Sequence, residues 1–84
     1  MIEKNVAWQA QATKTLDVRP TLAEGGEPFV MIMETAVPLK TGETLLLIAP
    51  FEPVPLYQVL GEHGFTHETH KVSANEWWVL FTRA

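Results

Sequence analysis

Gly25-Gly26-Glu27-Pro28-Phe29-Val30-Met31-Ile32-Met33 is the stretch on which the reading of the fold turns. The paired glycines allow a tight turn. Pro28 has a fixed φ and no N–H, which suits the first turn of a helix, where that N–H would find no partner. Phe29, Ile32, Met33 and Ala36 then recur at i, i+3, i+4 and i+7, a single helical face. Pro38 stops the helix, because a residue before proline avoids the α region. The pattern predicts a helix from about Pro28 to Val37. It is apolar nearly all round, so Val30, Met31 and Val37 need cover of their own.

Lys14–Val18 upstream reads as a short strand with Leu16 and Val18 facing inward, closed by Arg19-Pro20. Residues 20–27 read as a loop. Downstream, Thr44–Ala49 is a continuous apolar run bounded by turn residues, the pattern of a central strand buried on both faces. The prolines of residues 50–55 lead into a second helix, about Pro55 to Glu62, with Gly61 and Gly64 as stop signals. Phe65–Val72 and Glu76–Thr82 read as a hairpin around Ser73-Ala74-Asn75. The order is β-α-β-α-β-β, which predicts an α/β two-layer sandwich. Its first two strands are parallel, its last two antiparallel, and both helices lie on one face. Residues 1–13 form a partly ordered N-terminal arm ahead of the domain at residues 14–84.

The 84 residues suffice for one small core. A net charge of −4 and six scattered basic residues disfavour nucleic acid and anionic membranes, which need clustered Lys and Arg. The apolar runs fall far short of the ~20 residues of a bilayer span. A cytoplasmic protein with no cofactor is the expectation. With no cysteine, a disulfide, a thiolate metal site and a thiol nucleophile are excluded.

Leu16-Asp17-Val18-Arg19, Glu27-Pro28 and Gly42-Glu43-Thr44-Leu45-Leu46-Leu47-Ile48 together resemble the TusA/SirA-type sulfur carriers. With Pro53-Val54-Pro55-Leu56-Tyr57, the chain is more similar still to a related family known as domain of unknown function 2249. The resemblance implies sheet order 1-2-4-3. It also implies a difference in chemistry. Carriers hold Cys-Pro-Xaa-Pro at the start of the first helix, and alignment on Glu27-Pro28 puts Gly25 and Gly26 at the Cys and its following Pro. A persulfide needs sulfur, so carrier activity does not transfer. Relatives in the closer family often carry an acidic, His-containing segment where Ala49-Pro50-Phe51 stand here.

In open α/β sheets, ligands bind beyond the carboxyl ends of the parallel strands. That places the expected site at Arg19, Gly25, Gly26, Glu27, Phe29, Phe51 and Glu52, with the glycines leaving the mouth open. Helix N-termini and Arg19 suit an anionic ligand; the competing reading has Glu24, Glu27 and Glu52 capping the helices and Arg19 in an ion pair. His63, His67 and His70 cluster in sequence, but strand alternation sends His67 and His70 to opposite faces, so no metal site is expected. Trp77 and Trp78 also alternate. One of them should lie on the face that the two helices leave open, covered by homodimerisation or by Trp8 and the arm.

The expected function is a non-catalytic small-ligand or protein-interaction module without carrier activity. The alternative is an accessory to sulfur or redox metabolism that docks onto sulfur-carrier partners. Incubation with a cysteine desulfurase and radiolabelled cysteine should leave the protein unlabelled. Label that survives non-reducing denaturation would overturn this.

Overall fold

The computed structural model describes residues 2–84, and the side chains of residues 7–84. The chain runs α1 (Ile2–Gln11), β1 (Lys14–Asp17), α2 (Arg19–Ala23), α3 (Phe29–Ala36), β2 (Thr44–Ala49), α4 (Val54–Glu62), β3 (Phe65–Ser73) and β4 (Glu76–Arg83). The four strands form one mixed sheet in the order β1-β2-β4-β3. β1 is parallel to β2, with Leu16 opposite Leu47, and β4 is antiparallel to both of its neighbours.

β2 explains the layering. Leu45 to Ala49 are all buried, and alternation divides them between the two faces. Leu45, Leu47 and Ala49 join Val79 and Phe81 of β4 under Ile32 and Ala36 of α3 and Leu60 of α4. This is the principal core, and α3 and α4 share that face of the sheet. Leu46 and Ile48 point the other way and pack with Trp78 and Trp8.

Residues 1–13 therefore do more than fray. Ile2–Gln11 is helical, and Trp8 is buried to 5% exposure against the second sheet face. Thr13 and Thr44 exchange hydrogen bonds at 3.0–3.1 Å, tying the end of the arm to the first residue of β2. The apolar face left bare by α3 and α4 is covered within the chain. The sequence predicts a partly ordered arm here, and the structure makes it a helix.

The segment after β1 differs from the expected loop as well. Pro20 ends the strand and also opens α2, since proline fits the first helical turn. Gly25, at φ +81°, takes the left-handed position just past that helix. The Gly25 N–H donates to the Leu22 carbonyl at 3.0 Å and the Gly26 N–H to the Thr21 carbonyl at 2.9 Å. These two bonds make the glycine pair the C-terminal cap of α2.

At the opposite end of the sheet, Arg83 ties α3 and α4 down. Its Nη1 donates to the His63 carbonyl at 2.7 Å and its Nη2 to the Val37 carbonyl at 2.9 Å. A cation there meets the negative ends of both helix dipoles.

Trp8→Ala removes most of the cover over Leu46, Ile48 and Trp78. It should lower the unfolding free energy by about 2–3 kcal/mol, the value of burying one large apolar side chain, and should promote self-association through the bared face. Urea unfolding and sedimentation of the variant check both effects. An unchanged midpoint with a wild-type sedimentation profile would mean that α1 adds no stability.

Candidate functional site

β1 and β2 run parallel and end side by side, and α3 and α4 begin just beyond them. The chain leaves an apolar pocket of about 210 Å³ there. Its floor is core: Val18 after β1, Leu47 and Ala49 of β2, and Ile32 of α3. One wall is Leu22 of α2 with Pro28 and Phe29. The other is Phe51, Pro53, Pro55 and Leu56. Phe29 and Phe51 are 41% and 52% exposed and stand at the rim. Three of the lining residues are prolines, whose fixed φ leaves less conformational freedom to lose when a ligand orders the site.

Glu27 is the one charged residue in this lining. Its Oε1 accepts a short hydrogen bond from the Phe29 N–H, so the carboxylate caps the first turn of α3. The first turn of α4 is also occupied. The Val54 N–H donates to the Glu52 carbonyl, Pro55 has no N–H, and the Leu56 N–H donates to the Pro53 carbonyl. The chain itself thus fills the first turn of α4 and one N–H of the first turn of α3.

Arg19 is removed from the pocket altogether. Its guanidinium holds Asp17 in two bonds, Nε to Oδ1 at 2.9 Å and Nη2 to Oδ2 at 2.8 Å. Nη1 lies 3.1 Å from Glu76 Oε1, and Glu76 Oε2 accepts from the Trp78 Nε1–H at 2.7 Å. Asp17 alternates with Leu16, and Trp78 packs under Trp8, so this network lies on the α1 face, away from α3 and α4. The hydrogen bonds from Arg19 hold the Asp17 carboxyl below its usual range, and the same pairing raises Arg19. The sequence reading anticipated an ion pair for Arg19 but looked for its partner among Glu24, Glu27 and Glu52.

Of the seven residues expected at the mouth, Glu27, Phe29 and Phe51 line the pocket. Glu52 sits on the same loop, but its Oε2 accepts from the Tyr57 hydroxyl at 3.1 Å. Gly25 and Gly26 do not line it, because they form the cap of α2. No atom lies within 4 Å of a Cβ built on Gly25, yet its positive φ strains any other residue there. A Cβ on Gly26 would meet Thr21 Cγ2 at 2.9 Å. The sequence reading missed the deep lining from Val18, Leu22, Ile32, Leu47, Ala49 and Leu56. The available signal was positional: apolar residues at the carboxyl ends of parallel strands, followed by helix starts.

The histidines separate as alternation requires. His67 stacks on Tyr57 with ring centroids 3.8 Å apart, and His70 meets Trp8 edge-on across the sheet. His63 caps the end of α4. Among the described residues no group of three His, Cys, Asp or Glu side chains could hold a metal ion. Trp77 lies on the α3 and α4 face with the Lys71 ammonium 5.4 Å from its ring centroid.

The model of an uncharacterized conserved protein family, DUF2249, matches residues 15–83. The chain belongs to that family. No curated protein and no solved structure matches it. The matched span contains the whole pocket and leaves α1 outside, so Trp8 covers the family domain from beyond it. No helix among the described residues is long and apolar enough to cross a membrane.

Tyr57 offers a direct reporter beside the site, since it is the only tyrosine. Burial raises its pKa above 10.0; the Thr69 hydroxyl, 2.6 Å away, pulls it down, and the Glu52 carboxylate pushes it up. The folded state therefore holds the proton more tightly than the unfolded chain. The resulting stability is present in full below pH about 10 and is lost as pH rises through the folded-state value. Phenolate absorbance should show a midpoint above 10.0, moved down by Glu52→Gln. A wild-type midpoint at or below 10.0 would contradict this.

Proposed function

We propose that this chain is a non-catalytic binding module that holds a small ligand in the apolar mouth between α3 and α4. The observation that carries the reading is the pocket itself. Core positions just after β1, in β2 and in α3 form an apolar floor open to solvent, at the end of the parallel strands where α/β folds place ligands. Phe29, Phe51 and Val54, 41–55% exposed, add apolar surface at and beside the rim. Exposed apolar surface of this kind marks binding sites more often than bare surface.

The strand and helix order is also the one that the resemblance to TusA/SirA-type carriers implies. On that alignment Gly25 stands at the sulfur-bearing position, and the chain has no cysteine elsewhere. The module works by binding and not by carrying sulfur.

Native mass spectrometry of the protein purified from its own host should reveal a bound small molecule that is lost on denaturation. Phe51→Ser, at a half-exposed rim position, should reduce the bound fraction and change stability by no more than about 0.5 kcal/mol. A bare native mass from the host, with no mass difference between wild type and variant, would count against the module.

A further inference from the structure

We propose that the ligand of this mouth is a small organic amine, a compact apolar body carrying one protonated nitrogen. The inference rests on the binding reading above and narrows its chemistry. Size comes first. The pocket measures about 210 Å³. A cavity of about 150 Å³ accepts benzene, and sites for drug-sized ligands begin near ~300 Å³. One aromatic ring or one branched aliphatic group fills the space.

Charge comes second. The only charged lining residue is Glu27. Its Oε1 is engaged by the Phe29 N–H, and Oε2 takes part in no hydrogen bond or ion pair among the described residues. Glu52, next to Phe51, does not line the pocket, and its Oε2 accepts from the Tyr57 hydroxyl. The cation nearest in sequence, Arg19, is held by Asp17 and Glu76 on the other face of the sheet. Lys71, on β3, does not line the pocket, and its ammonium stands over the Trp77 ring at 5.4 Å from the centroid. A ligand seated against Ala49 and Phe51 therefore meets one charged lining residue, Glu27. An ammonium group would pair with Glu27 Oε2, and a carboxylate would be repelled.

The test titrates the full chain with three probes of one shape, 2-phenylethylamine, 2-phenylethanol and phenylacetate, and follows backbone amide shifts by NMR. Shifts should centre on Phe29, Ala49 and Phe51. The amine should bind about two- to five-fold tighter than the alcohol, the range for one exposed charge pair, and phenylacetate weakest of the three. Glu27→Gln keeps an oxygen to cap α3 and should bring the amine and alcohol affinities together. High salt should do the same. Equal affinities for amine and alcohol in the wild type, or a preference that survives Glu27→Gln, would overturn the amine assignment while leaving an apolar site in place. If none of the three probes shifts the amides at the mouth, the binding reading fails, and the amine assignment with it.

Discussion

The double burial of β2 is the constraint on which the rest of this structure depends. Five consecutive apolar residues, Leu45 to Ala49, cannot all face one core, because alternate side chains of a strand point to opposite faces. Each face needs its own cover. Helices α3 and α4 supply one and bury Ile32, Ala36 and Leu60. Among the described side chains of α1, Trp8 closes the other, over Leu46, Ile48 and Trp78. In a domain this small, either layer is a large fraction of the core.

The same constraint creates the pocket. Packing α3 and α4 on β2 brings their first turns over the carboxyl ends of β1 and β2. There the chain is rich in proline, and Pro28, Pro53 and Pro55 line the walls. Leu47 and Ala49 belong to the core at their strand and to the site at their tip, so one set of residues gives both stability and a binding floor. Conventional anion recognition is displaced from this end by local chemistry. Glu27 caps α3 and Arg19 turns to Asp17 and Glu76, leaving an apolar site whose one charged lining residue is Glu27.

Much of this was legible in the chain. The continuous run at 44–49, the 3.6-residue pattern at 29–36 and the alternation of Trp77 to Thr82 encode the strands, the main helices and the sheet faces through local periodicity alone. The separation of His67 from His70 follows from the same rule. The site was legible only in part. Glu27, Phe29 and Phe51 flank helix starts and could be placed by topology. The floor from Val18, Ile32 and Leu47 could not, because those positions look like any other core residue until the helices are docked.

What the sequence by itself determined is therefore the four strands, the helices α3 and α4, their order and the absence of a sulfur nucleophile, since these follow from local pattern and residue chemistry. Tertiary structure alone decided three things. Residues 2–11 fold as a helix because Trp8 finds an apolar face to bury against, a gain invisible to local propensity. Gly25 and Gly26 cap a short helix and do not open a mouth, because α2 forms only where Leu22 packs against the core. Arg19 faces away from the pocket because Asp17 and Glu76, 59 positions apart in the chain, converge on it at one end of the sheet. Each depends on contacts between distant segments, and those exist only once β2 is sandwiched.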